Sequence, residues 1–320
     1  MMRTKKWWVI TIALLIALMP SVADAHKHKG NHNKKSRIER FAFDSHKDKK
    51  KKKRKSSKKD AKGRGRGAAR SRQQLMYDFN GYAPRRIVCG QNIASPLLNV
   101  VVPRGVSNQR INHDGKVVYF NNQYRIPNCV IYDFSATEAA QTDAPGAERR
   151  KNYKYNADPA TNASPDRSDY RRSGYDRGHM APAMDMKWSK GSMRDAFYMT
   201  NICPQNHILN SGPWRIVEET VHRWAKRDKR LIIASGPVLG NGMKMIGPKH
   251  NIAVPKAFYK IVYAPNQGRA IAFLFNNETA RGSIWNHVVS VDYVERATGL
   301  SFLPGVHAAI KRKSNPDQWK

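Results

Sequence analysis

Residues Tyr175 to Trp188 read YDRGHMAPAMDMKW. Asp176, Arg177, Gly178 and His179 occupy four consecutive positions, followed by small and sulfur-containing residues. Two readings compete for this stretch. One is a polar turn leading into a Met-rich core segment. In the other, His179 is a general base and Arg177 clamps a phosphate. Imidazole titrates near neutral pH and can take a proton from water there. A guanidinium donates paired hydrogen bonds to phosphate oxygens. The surrounding sequence decides between the two.

Downstream, DAFYMTNICPQ has the apolar and aromatic content of a strand, and GPWRIVEETVHRWAKR has helical spacing. Trp214, Val217, Val221 and Trp224 fall at i, i+3, i+7 and i+10 of that helix. Pro213 suits its first turn, where a missing N–H costs nothing. Asn210 stands at or just before the helix start, and Glu218 follows it by eight residues. That step puts both on roughly one face, about 12 Å apart along the axis. Glu218 is therefore poorly placed to share a metal's inner shell with Asn210, but it can hold metal-bound waters. Taken singly, each residue has a plainer role: His179 structural, Asn210 an N-cap, Glu218 and Arg177 solvated, Trp214 core.

Together they match what phosphodiester hydrolysis requires. A water must lose a proton, the phosphoryl oxygens must be neutralised, and the leaving oxygen must be protonated. His179 suits the first task. Mg²⁺ suits the second, because it keeps most of its waters and takes few protein ligands, and the Asn210 amide oxygen can anchor it. A Ser173–His179–Asp176 hydrolase triad is the weaker alternative, since six residues of loop do not set triad geometry.

The rest of the body reads as α+β, a mixed, largely antiparallel sheet core with helices. LLNVVVP, KVVYFNNQYRI, CVIYDFSA and RLIIASGPVL read as strands, and AFYKIVYAP and AIAFLFN read as a hairpin turning at NQG. SVDYVERATGL reads as a closing helix ended by Gly299. Between Thr137 and Gly174 the chain is rich in Asp, Asn, Pro and Ser, and is expected to be a long loop. Cys89, Cys129 and Cys203 are far apart with no CxxC pair, which argues against a zinc knuckle. In an exported protein one bridge, Cys89–Cys129, and a free Cys203 are expected.

The 320 residues carry a net charge of +34, which points to a polyanionic partner. Residues 26–72 hold 21 Lys or Arg against 4 acids, and the first 25 carry +2, so +15 remains on the body. Residues 1–25 read as an export signal: a basic start, the apolar run VITIALLIALM, and ADA at Ala23–Ala25 as the cleavage site. That run falls short of the roughly 20 residues of a membrane span, so no span is expected in the mature chain, whether periplasmic or secreted. Residues 26–72 have almost nothing apolar to bury and are expected to be a disordered basic arm. Residues 73–320 then form the folded domain.

The segment DRGHMAPA…DAFYMTNICPQNHILNSGPWRIVEE resembles the DNA/RNA non-specific endonuclease family, whose ββα-metal site is also called the His-Me finger. The matching positions are Asp176 to His179, Asn201 with Pro204 and Gln205, Leu209 and Asn210, Trp214 and Glu218. The resemblance implies His179 as general base and Asn210 as the direct Mg²⁺ ligand, with Mn²⁺ able to substitute. It further implies that Glu218 orders the ion's waters, Arg177 stabilises the transition state and Asn201 supports the site. An upstream arginine is also implied; of Arg149 and Arg150, Arg150 is preferred, although its spacing to Tyr155 departs from the family pattern. DNA and RNA are the expected substrates, cut without base reading to leave 5′-phosphates; the sequence leaves the oligomeric state open, a homodimer included. The competing reading is a nucleic-acid-binding or surface protein with an inactive nuclease-like body.

Overall fold

The structure is a computed structural model and describes residues 95–278 and 282–320. The export signal, the basic arm, Cys89 and the expected domain start at residue 73 all lie outside the described residues.

Seven antiparallel strands form the central sheet: β1 (Gln109–His113), β2 (Lys116–Asn121), β3 (Ile126–Ser135), β6 (Arg230–Val238), β9 (Ala257–Ala264), β10 (Arg269–Asn276) and β11 (Val288–Val289). Their spatial order is β1-β2-β3-β6-β9-β10-β11. Two small ribbons complete the strands: β4 (Asp176–His179) with β5 (Ile202–Gln205), and β7 (Met245–Ile246) with β8 (Ile252–Ala253). The helices are α1 (Ala136–Asp143), α2 (Lys190–Ala196), α3 (Arg215–Asp228), α4 (Val291–Thr298) and α5 (Ala308–Arg312).

Both faces of the sheet are covered, so its central strands are apolar on alternate residues in both directions. Phe258 and Val262 of β9 point to one face with Tyr132, Phe134 and Phe273, under Trp214, Val217, Val221 and Trp224 of the α3 region. Tyr259, Ile261 and Tyr263 point to the other, against Val291 and Val294 of α4 and against Phe302. Burying a Phe, Leu or Ile contributes about 1.5–3 kcal/mol each relative to exposure. Lys260 breaks the pattern: it projects from β9 between Phe258 and Val262 and is 1% exposed.

The α+β reading is the observed class, and the hairpin and the closing helix form where the sequence put them. Gly268 takes left-handed φ 59 at the hairpin, and Gly299 takes φ 72 at the end of α4. Several local expectations are corrected. LLNVVVP starts within a 3₁₀ turn (Pro96–Leu98) and then makes a single bridge from Val101 to Ser301, with no strand beside it among the described residues to extend the pairing. KVVYFNNQYRI holds two strands, with Arg125 at φ 56 in the turn between them. The expected long loop opens with α1, nucleated by a capping box: the Glu138 N–H donates to Ser135 Oγ, and the Ser135 N–H donates to Glu138 Oε2. Among the described residues Cys129, inside β3, and Cys203 are free thiols; the expected Cys89–Cys129 bridge involves Cys89, which lies outside the described residues. Among the described residues no helix is long and apolar enough to cross a membrane.

Candidate active site

β4 and β5 pair antiparallel, with Gly178 opposite Cys203 and His179 opposite Ile202, and the chain then enters α3. The order is strand, strand, helix. Gly178 is required by closeness: a Cβ there would meet Gln205 Oε1 at 1.9 Å. Asn201 fixes the chain as it leaves His179. Its Nδ2 donates to Ala181 O and Ala196 O at 2.9 Å, and its Oδ1 accepts from the Ala181 N–H at 2.9 Å. Asn277 fixes the far corner: its Nδ2 donates to Pro204 O at 3.0 Å and Pro255 O at 2.8 Å, while its Oδ1 accepts from the Asn206 N–H.

Helical backbone begins earlier than the sequence suggests. Asn206 Oδ1 accepts the Ile208 N–H and caps a turn at His207–Leu209, so Asn206 and not Asn210 is the N-cap. A widened π-type turn follows over Asn210–Trp214, broken at Gly212 (φ −109, ψ −113), and leads into α3. Such wide turns gather at functional sites.

His179 ends β4 and is 9% exposed. Its ring lies 5.5 Å from Tyr155 and 5.2 Å from Phe197, and its carbonyl accepts from Trp214 Nε1 at 3.2 Å. Its Nε2 is buried and has no hydrogen-bond partner. Burial, reinforced by the positive charges of Arg150 and Lys116, pushes the imidazole down to about 3. The ring is therefore neutral at physiological pH.

Asn210 is oriented by Asp176. Asp176 Oδ2 accepts from Asn210 Nδ2 at 2.9 Å and lies 2.8 Å from His207 Nδ1. With the amide nitrogen so held, Asn210 Oδ1 is left without a hydrogen bond. Arg177 spreads its guanidinium 5.4 Å from the Tyr155 ring and 5.6 Å from the Tyr170 ring, and donates to Arg167 O at 2.8 Å. Arg150 packs on the Phe197 ring at 5.3 Å and donates to Tyr155 Oη at 3.3 Å. Glu218 has a buried, unpartnered Oε1. Burial raises its carboxyl, against the pull of the Lys260 ammonium. Lys260 Nζ donates to Ser235 Oγ at 2.6 Å and to Met180 O at 3.4 Å, and sits 4.6 Å from the Trp214 ring.

All five residues named from the sequence, Arg150, Arg177, His179, Asn210 and Glu218, line one cleft of about 370 Å³. Arg149 does not. Lys187 and Arg215 also line the cleft and were missed, because an exposed basic residue carries no spacing signal. Lys260 was missed too, although a lysine at a core-facing position of an alternating strand could have marked it. No Ser–His–Asp triad forms: Ser173 Oγ donates to Tyr170 O, and Asp176 faces Asn210 and His207.

Residues 93–309 match the family model described as DNA/RNA non-specific endonuclease. The chain belongs to that family. It is 29% identical over 255 residues to the mitochondrial Nuclease 1 of Schizosaccharomyces pombe, covering 72% of this chain and 73% of that protein. It is 35% identical over 166 residues to the mitochondrial nuclease of Saccharomyces cerevisiae, covering 45% and 50%. It is 32% identical over 164 residues to human mitochondrial endonuclease G, covering 47% and 53%. The alignments thus span from half to three quarters of these relatives. In fold, the chain is similar to EndoG in a solved EndoG/EndoGI complex, with a TM-score of 0.59 at 24% identity over 63% of this chain and 89% of that one.

The cleft fits the divalent ion expected of this family. Asn210 Oδ1 and the orphaned Glu218 Oε1 are oxygen donors on the same helical segment, and few protein ligands of that type suit a hydrated hard cation.

Proposed function

We propose that this chain is an exported, metal-dependent endonuclease that hydrolyses the phosphodiester backbone of DNA and RNA with little base or sugar preference. One observation carries the reading: His179, Asn210 and Glu218 line one cleft with Arg150, Arg177 and Arg215, and His179 Nε2 and Glu218 Oε1 are buried without a hydrogen-bond partner.

In this reading His179, neutral at pH 7, takes the proton of the attacking water at Nε2. Tyr155, Phe197 and the Trp214 bond to its carbonyl hold the ring at that angle. Arg177 and Arg150, spread on aromatic faces, meet the phosphoryl oxygens as negative charge builds on them. Asn210 would hold Mg²⁺, or Mn²⁺ in its place, with Glu218 orienting the surrounding waters. Bound there, the ion would supply charge neutralisation and acidified water. Asp176 keeps the Asn210 oxygen directed into the cleft. Phosphate and water are all that the cleft engages, which supports cleavage of both polymers, the 5′-phosphate ends following from the family resemblance.

Export rests on residues 1–25 alone, whereas the relatives above are named mitochondrial. The arm at residues 26–72 would add phosphate contacts to a catalytic domain from residue 73 onward. The test is digestion of plasmid and total RNA with Mg²⁺, with Mn²⁺ and with chelator, beside His179→Ala. Loss of a general base costs about 10²–10⁴ in rate. If His179→Ala cuts as fast as wild type, the general-base assignment is wrong. The net charge of +34 favours a second reading, a nucleic-acid-binding protein with an inert body; retardation of DNA without cleavage in either metal would establish it.

A further inference from the structure

A second groove, of about 580 Å³, runs along the flank of α3 away from the cleft. Its walls include Ile216, Arg223, Trp224 and Arg227 of α3, with Trp285 and Lys320 opposite. Trp224 is the hub of its aromatic floor, with ring centroids 6.2 Å from Trp285 and 4.7 Å from the buried Trp319. Trp285 is half-buried, and Lys320 Nζ lies 5.6 Å from its ring. Ile216 is a large apolar side chain left 41% exposed at the rim.

Three cations and no Asp or Glu are among the groove's lining residues, and the acids that pair with two of the cations, Asp317 and Asp228, are not lining residues. Arg223 is exposed and donates only to Thr220 Oγ1 at 2.9 Å. Arg227 is partly neutralised by Asp228 at 2.8 Å. Among the described residues Arg223 has no carboxylate partner, Arg227 shares Asp228 with Arg269, and Lys320 Nζ pairs with the exposed Asp317 at 2.7 Å; aromatic faces beside such cations are the chemistry by which proteins hold single-stranded nucleic acid, through base stacking and phosphate contact. Position strengthens the case. Glu218 in the cleft and Arg223 in the groove are five residues apart, about 140° round the helix and about 8 Å along it. Between the two flanks, the exposed ridge of α3 carries Arg215, which also lines the cleft. A strand leaving the cleft across Arg215 and Arg223 reaches the groove within a few nucleotides. Trp319 and Lys320 lie beyond the residues the family model matches, so the groove is completed by this chain's own C-terminal segment.

We propose that this groove is a secondary site for single-stranded nucleic acid, seating a base against Trp285 while Arg223, Arg227 and Lys320 hold the neighbouring phosphates. The proposal rests on the nuclease reading for the direction of the strand, and the experiment separates the two. Binding of a fluorescent dodecathymidylate to the full chain is measured in chelator for wild type, Arg223→Glu, Lys320→Glu and Trp285→Ala. Hydrolysis of bis(p-nitrophenyl) phosphate, too small to reach the groove, is measured in Mg²⁺. Charge reversal is expected to weaken dodecathymidylate binding about tenfold and to flatten its salt dependence. Trp285→Ala is expected to weaken it by a similar factor. Hydrolysis of the small diester is expected to stay within about twofold of wild type, and a blunt duplex is expected to be bound nearly as well as by wild type. Unchanged dodecathymidylate binding in Arg223→Glu and Lys320→Glu, both exposed and tolerant of replacement, overturns the proposal. Equal losses on duplex and single strand overturn the stacking assignment. A change in sedimentation of Arg223→Glu with unaltered binding would make the groove a contact between copies and would also overturn it. A wild type that hydrolyses neither substrate sinks the nuclease reading, while the binding comparison still reports on the groove.

Discussion

Replacing His179 by Asn tests the electrostatics of the cleft apart from catalysis. The imidazole moves from an ordinary value of 6.5 down to about 3 on folding, chiefly through burial and then through Arg150 and Lys116. A depressed folded pKa means that the unfolded chain binds the proton first. The stability associated with the neutral ring is complete above pH 6.5 and drains away as pH falls toward 3. Each pH unit inside that window is worth up to about 1.4 kcal/mol. Between pH 6.5 and about pH 4.5 the wild type should therefore lose about 2 kcal/mol that His179→Asn does not, since Asn has no proton to bind. Other titrating groups are shared and cancel in the comparison. The assay is urea denaturation of both proteins at the two pH values in the presence of chelator, so that no ion biases either fold. Parallel changes in the two proteins, to within about 0.5 kcal/mol, would mean that the imidazole titrates normally. The claim of a neutral, desolvated base would then fall.

Asp176→Ala should free the Asn210 amide to rotate, raising the Mg²⁺ concentration needed for half-maximal cleavage by about 10–100-fold; an unchanged metal titration would show that Asp176 does not orient Asn210. Lys260→Met removes the cation that holds the raised Glu218 carboxyl down. Glu218 would then keep its proton to higher pH, and the acidic limb of the kcat/KM profile should move upward; a stationary limb would dissociate Lys260 from the site. Cys129 and Cys203 are buried free thiols, with Cys129 pushed up to about 12 by burial. Neither should react with a thiol reagent in the native protein, and both should react after unfolding; rapid native labelling of either would contradict their burial.

The sheet's alternating strands, the hairpin at Gly268 and the α4 stop at Gly299 were legible in the chain because each follows from local periodicity and turn chemistry. The pairing of DRGH with the Asn210–Glu218 segment was legible because chemistry restricts residue types and helix geometry restricts spacing. Local rules failed where distant partners decide. LLNVVVP has strand composition but no strand to join beyond one bridge at Ser301. The segment after Thr137 looked like loop from its polar composition, and there the miss was itself local: the Ser135–Glu138 capping box outweighs that composition and starts α1.

The sequence by itself determined the candidate site residues, their order and the periodic core, since these depend on neighbours a few residues away. Only the tertiary structure decided that Arg150 rather than Arg149 lines the cleft, that Asp176 holds the Asn210 amide nitrogen, and that the Lys260 ammonium acts on Glu218. Each of those facts joins residues from separate elements, and their energies depend on through-space distance and burial, which no reading along the chain contains.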